Sequence, residues 1–224
     1  MAELEIPCAC EVLEPLVIDY IGDLLSWGLI GARTSASQPH RQLASGLPFP
    51  VGFKHGVDGD IDVALSAILS ARMPHSHIGI TDQGQIASIS TSGNSLSHLV
   101  LRGSERRTNF DPESLLEAAL KMEGQRLDPR ILVDCGHGNC GRDPRKQRIA
   151  FESVIEQAAQ GNKTILGIML ESHLLEGKQP LLEDPSQLAY GVSITDACMG
   201  WEETEELLRW ADEWLSTSIN SVQK

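Results

Sequence analysis

The chain has 224 residues, of which 41% are hydrophobic and 22% charged, with a formal net charge of −13; these values suit a single soluble domain spanning 1–224. The acidic balance excludes general nucleic-acid binding, which needs a basic surface to release counterions, and no apolar stretch reaches the length of a membrane span. Five cysteines without regular spacing, behind an acidic start that lacks a secretory apolar region, point to a reducing compartment, the cytoplasm.

Short apolar runs alternate with segments of helical patterning. CACEVLE (8–14) reads as the first strand, and PLVIDYIGDLLS (15–26), with apolar positions at three- and four-residue spacing, as a helix. LIGART and VGFKHG are the next two strands. DIDVALSAILSARM (60–73) follows as a helix that Asp60 can cap. In HIGITDQGQIASISTSGN (77–94), two β-rich segments about DQGQ predict a hairpin. LVLRGS is the fourth apolar strand. The helix DPESLLEAALKMEGQ (111–125) opens on Asp111, Pro112 and Glu113, residues suited to a helix start. ILVDCGHGN gives the fifth strand, PRKQRIAFESVIEQAAQG (144–161) a helix stopped by glycine, and GIMLESH the sixth strand. The last helix is GWEETEELLRWADEWLSTS (200–218), with Leu207, Leu208, Trp210, Ala211 and Trp214 on one apolar face.

Such alternation predicts an α/β fold, a parallel sheet covered by helices. The expected form is a (β/α) TIM-type barrel of six βα units with an inserted hairpin. An open doubly wound sheet is the other arrangement, but it would usually bring a glycine-rich phosphate loop after the first strand, and CACEVLEP is not one. In a barrel, the strand ends set Arg33, Lys54, Arg102, His137 and Glu171 on the C-terminal face, where such folds build their sites. Two arginines, a lysine, a histidine and a carboxylate describe a phosphate and metal site.

Longer motifs carry a family resemblance. SWGLIGARTSASQPHRQLASGLPFPVGFKHGVDG (26–59), TSGN with LVLRG (91–103), VDCGHGN (133–139), and GIMLESHLLEGKQPL with YGVSITDACMGWEET (167–204) resemble the type I 3-deoxy-D-arabino-heptulosonate 7-phosphate (DAHP) synthases, in that family's order. The resemblance implies condensation of phosphoenolpyruvate with erythrose 4-phosphate, releasing inorganic phosphate, at the entry to the shikimate pathway. It implies Arg33, Lys54 and Arg102 as phosphoenolpyruvate-binding cations, with Lys54 and His137 in the catalytic machinery. His137, Glu171 and Asp196 would be metal ligands, and Asp196 would also contact the aldose. A nitrogen with two carboxylates suits manganese, iron, cobalt or zinc, here bound weakly.

The departures from the family pattern carry their own expectations. Nothing matches the family's first two barrel units, its metal-binding cysteine or its Lys-Pro-Arg-Thr segment, so the chain is expected to be an N-terminally truncated barrel with very slow turnover on its own. His55 stands where the family usually has asparagine, and Gly136 where it has serine. Cys135, which shares strand parity with His137, and Cys8 and Cys10 are the cysteines that could stand in for the missing ligand. The rival reading is a catalytically dead remnant, or one subunit of a split enzyme, acting in phosphate binding or protein interaction. A homo-oligomer or a complex with a full-length paralogue is the expected protein partner.

Overall fold

In the computed structural model, which describes residues 1–81 and 83–222, the apolar runs become strands and the amphipathic segments become helices. The contacts group them into two compact units, Met1–Val100 with Leu120–Arg130, and Leu101–Ala119 with Ile131–Lys224.

In the first unit, β1 (Cys8–Glu11), β2 (Leu25–Ile30) and β3 (Val51–Lys54) are parallel neighbours in chain order. A separate antiparallel pair follows, β4 (Ser76–Ile80) and β5 (Ile86–Ser90), with Ile80 opposite Ile86. The predicted DQGQ turn lies between them, although its Asp82 is outside the described residues. β6 (His98–Leu101) then returns to the first sheet and pairs in parallel with β3. Every residue of β3 and β6 is buried, as continuous apolar runs in a covered parallel sheet require. Phe53 and Leu99 belong to this core, as do Leu65 and Ile68 of α3 (Asp62–Ala71). The expected cap is displaced: Ile61 occupies the N-cap of α3 without a side-chain bond, and Asp60, one residue earlier, accepts from the Asp62 amide at 2.9 Å.

One predicted helix is much shorter than expected. Residues 15–26 yield a single turn, α1 (Ile18–Ile21), then a 3-10 turn over Gly22–Leu24, and Leu25 already belongs to β2. Leu16, Val17, Tyr20 and Leu24 are all exposed while Ile18 is buried, so the apolar stripe covers too little surface to stabilise a longer helix. The next helix, α2 (Gln38–Ala44), carries Pro39 in its first turn, where the missing N–H costs nothing.

The same unit joins a half-buried tryptophan to a buried histidine. Trp27 of β2 reaches across β3 at Gly52, whose missing Cβ leaves the room, and donates its indole N–H to His98 Nε2 at 3.0 Å. The other ring nitrogen of His98 bonds the Leu96 carbonyl at 2.9 Å, so the neutral Nδ1–H tautomer satisfies both contacts. Trp27 therefore acts within the sheet. Burial, reinforced by Arg130 and opposed by the Leu96 bond, holds the His98 pKa below its ordinary value. Below about pH 6.5 the unfolded chain takes up this proton and the folded chain resists it. Stability is thus complete above that pH and is lost as pH falls toward the depressed folded value. Urea midpoints at pH 7.5 and pH 5 are expected to differ more in the parent than in His98→Gln; equal differences would refute the assignment.

The second unit holds β7 (Ile131–Asp134) and β8 (Ile165–Met169), again parallel. α4 (Pro112–Gly124) begins as predicted, with Asp111 accepting from the Ser114 amide at 2.9 Å and its hydroxyl at 2.7 Å. α5 (Gln147–Ala159) packs on α6 (Trp201–Val222), and the core between them contains Ala150, Phe151, Ile155, Met199, Leu207 and Ala211. The last helix buries a narrower face than its sequence suggested. Leu207 and Ala211, four residues apart, point inward, while Leu208 and Trp214 remain 49% and 44% exposed. Trp214 stacks on Trp210, their ring centres 5.7 Å apart. No helix of the described residues is long and apolar enough to cross a membrane.

Candidate metal and anion site

The second unit gathers a histidine and two carboxylates. His137 sits in a 3-10 turn just past β7, Glu171 just past β8, and Asp196 in the segment leading to α6. His137 Nε2 lies 3.5 Å from Glu171 Oε1 and 3.7 Å from Asp196 Oδ2. One ligand atom from each of the three falls within 4.8 Å of the others. Glu171 is largely covered and Asp196 is open, with side chains 19% and 64% exposed.

Three features of the protein suit this cluster to a cation. First, His137 Nδ1 lies 2.9 Å from Oδ2 of the fully buried Asp134, although off the line of a straight hydrogen bond. That carboxylate favours the proton on Nδ1 and leaves the Nε2 lone pair facing Glu171 and Asp196, the usual support for a ligating imidazole. Second, Gly136 forms a cradle. A Cβ there would lie 2.7 Å from Glu171 Oε2, so the glycine makes room for the carboxylate. Third, the site is electronegative. Burial chiefly, and Glu171 with Asp134 or Asp196 in addition, push the Cys140 and Cys198 thiols above their ordinary pKa. His137 itself has φ of 52°, a left-handed backbone uncommon outside glycine and often found at functional sites.

No cysteine sulfur joins the three ligand atoms among the described residues. Cys135 is fully buried against Phe151 and Met199, and burial pushes its thiol far up. It is a packed core residue. Strand parity ends at Asp134, so its alternation with His137 carries no positional meaning.

Arg102, just past β6, belongs with His137 to the second unit and is tied to the His137 turn through the backbone. Its carbonyl accepts from the amides of Gly138 at 3.0 Å and Asn139 at 3.3 Å. The Asn109 amide donates to Asn139 Oδ1 at 2.8 Å, and the Gly103 amide to Asn109 Oδ1 at 2.7 Å. Asn139 in turn donates to the Asp134 carbonyl at 2.8 Å. The loops carrying the arginine and the histidine are thereby held by one network of main-chain and asparagine side-chain bonds. Asp134, Asn109 and Asn139 are not singled out by the sequence; for Asp134 and Asn139 the polar side chain at or just past the end of an apolar strand is the available signal, and Asn109 offers none.

The first unit carries the other two expected cations. Lys54 ends β3 and is only 6% exposed, and its carbonyl accepts the Ser35 hydroxyl at 2.6 Å. Arg33 is exposed in the turn after β2, where the Thr34 and Ser35 amides both bond the Gly31 carbonyl at 3.0 Å. His55 is fully buried, with Nδ1 2.8 Å from the Gly56 carbonyl.

The chain is an α/β protein with cations at its strand ends and, beyond β7 and β8, a nitrogen–carboxylate cluster whose donor set could hold a metal ion. The DAHP synthetase I family matches residues 1–209. The chain is 44% identical to the Tyr-sensitive phospho-2-dehydro-3-deoxyheptonate aldolase of Salmonella typhimurium over 98% of its own length and 61% of that protein's. It is 46% identical to the Phe-sensitive aldolase of Escherichia coli, covering 91% of this chain and 58% of the other. The solved structure of phospho-2-dehydro-3-deoxyheptonate aldolase from Francisella tularensis superposes with a TM-score of 0.90 at 38% identity, over 96% of this chain and 62% of that one. The chain belongs to the DAHP synthetase I family, and its parallel sheet with helices fits a TIM-type fold. It spans about 60% of the length of these relatives.

Proposed function

We propose that this chain carries the substrate- and metal-binding half of a DAHP synthase, condensing phosphoenolpyruvate with erythrose 4-phosphate in the first step of aromatic amino-acid biosynthesis. The observation that carries the reading is the convergence of His137, Glu171 and Asp196 beyond β7 and β8, in a chain of this family. Residues 1–224 would form one domain of six βα units of a TIM-type barrel, with β4 and β5 as an inserted hairpin. The cytoplasm and a homo-oligomer or a paralogue complex fit a biosynthetic enzyme of this family; sedimentation of the purified chain tests the assembly.

Lys54 and Arg102, little exposed at their strand ends, present cationic charge where few waters compete, which strengthens attraction to an anion. Arg102 and Arg33 can grip phosphate through two parallel N–H bonds, while Lys54 offers a compact charge to the carboxylate or phosphate of phosphoenolpyruvate. His137, Glu171 and Asp196 would hold manganese, iron, cobalt or zinc. Such an ion supplies Lewis-acid polarisation of the erythrose 4-phosphate aldehyde. Asp134 keeps the His137 proton on Nδ1, and Asp196, the most open of the three, is available to the aldose as well.

Calorimetry with phosphoenolpyruvate tests the binding assignment. The parent chain is expected to bind it, and Lys54→Ala and Arg102→Ala each to weaken binding about tenfold or more, the loss of a charge-assisted contact. Variants that bind like the parent would remove these residues from the site.

A further inference from the structure

Glu171 lies two residues beyond the end of β8. The last rung between β7 and β8 is the bond from the Cys135 amide to the Met169 carbonyl, 2.9 Å long. Beyond that rung, the main chain at Glu171 needs another partner on the β7 side. The side chain of Gln147 supplies one. Its Oε1 accepts from the Glu171 amide at 2.8 Å, and its Nε2 donates to the Glu171 carbonyl at 2.9 Å. The same carbonyl accepts from the Met199 amide at 3.0 Å. One buried carboxamide thus replaces a residue of a neighbouring strand. Its orientation is fixed by chemistry, since reversing the amide would set donor against donor and acceptor against acceptor.

Gln147 is completely buried at the first position of α5, preceded by the 3-10 turn Pro144–Lys146. A buried side chain at a helix start has little freedom, so it transmits the position of α5 to Glu171. On its other side the Glu171 carboxylate occupies the space that a Cβ on Gly136 would fill. Backbone clamp and side-chain cradle together determine where this oxygen ligand stands relative to His137 Nε2.

We infer that Gln147 is a positioning residue for the metal centre, which holds the main chain of Glu171 in register so that its carboxylate meets His137 and Asp196. This rests on the metal reading proposed above. Partners that orient ligands in this way are commonly worth 10–100-fold in metal affinity.

Manganese titrations of the 224-residue chain test the inference against a matched control on the same helix. Gln157 is likewise buried in α5 and donates to the Phe110 carbonyl at 2.9 Å, but it does not touch the ligand cluster. Gln147→Glu keeps the size and the acceptor facing the Glu171 amide but apposes two acceptors at the carbonyl. It is expected to bind manganese about tenfold or more weakly and to alter the electron paramagnetic resonance spectrum of the bound ion. Gln147→Leu should show the same loss. Gln157→Leu should lose stability to urea yet bind manganese with the parent's affinity and spectrum. Parent-like affinity and spectrum in Gln147→Glu would overturn the inference alone, as would equal losses in Gln147→Leu and Gln157→Leu. A parent chain that binds no manganese would overturn the metal reading and this inference with it.

Discussion

Substitution of His137 by alanine is expected to remove measurable manganese binding, a loss of at least about 100-fold in affinity, or roughly 3 kcal/mol. The imidazole is the sole nitrogen of the three-residue cluster, and it stands between two carboxylates at 3.5 and 3.7 Å. Without it, Glu171 and Asp196 are two like charges without a nitrogen donor between them, a poor site for a borderline metal. The backbone adds a second effect that can be separated from the first. At φ of 52° an alanine pays about 1 kcal/mol for the left-handed conformation. Asparagine tolerates that region better. His137→Asn should therefore lose the metal while unfolding in urea close to the parent, and His137→Ala should lose both metal and stability when each is measured in the presence of a chelator. Manganese titration and urea unfolding of the same preparations give the two readings. Parent-like binding in either variant would remove His137 from the centre.

What could be read in the sequence follows from whether the signal is local. The fully buried strands β3 and β6 and the capped start of α4 are each fixed by a few consecutive residues, and each is found where patterning puts it. The segment 15–26 has a helical period but buries little beyond Ile18, and periodicity alone does not supply a partner. The strand ends with charged residues were legible for Arg102, His137 and Glu171 because strand length and direction are encoded nearby. Cys135 alternates with His137 in the sequence, which makes it a candidate ligand. That alternation requires continued strand, whereas the chain leaves β7 at Asp134 and turns left-handed at His137. Gln147 gave no signal at all. In PRKQR it reads as one more solvated polar residue, and its role arises from a contact with Glu171, 24 residues further on. Trp27 and His98 are likewise 71 residues apart in the chain and joined by one hydrogen bond.

The join between the Arg102 and His137 loops should be the least forgiving position outside the His137, Glu171 and Asp196 cluster. Gly103 has φ of +67°, and a Cβ on it would lie 2.5 Å from the Asn139 amide nitrogen and 2.6 Å from the Gly138 carbonyl carbon. Gly138 faces it in return, and a Cβ there would collide with Ser104 N and the Gly103 carbonyl carbon. Both collisions are with backbone, so no rotamer change can relieve them, and separating the loops breaks the bonds from the Gly138 and Asn139 amides to the Arg102 carbonyl. Gly103→Ala is expected to cost about 3–5 kcal/mol, the range of severe core defects. Two variants divide that cost. Gly141 also has positive φ, +59°, but nothing lies within 4 Å of the point a methyl group would occupy there, so Gly141→Ala should show only the conformational penalty of about 1–2 kcal/mol. Gly138→Ala lacks that penalty and keeps the collision. Urea unfolding should therefore rank Gly103→Ala as most damaging, Gly138→Ala next and Gly141→Ala least. Where Gly138→Ala still folds, it should lose phosphoenolpyruvate and manganese affinity together, because the same contact positions Arg102 and His137. A Gly103→Ala chain as stable as Gly141→Ala would show that the loops are not in contact and that the two halves of the site are held independently.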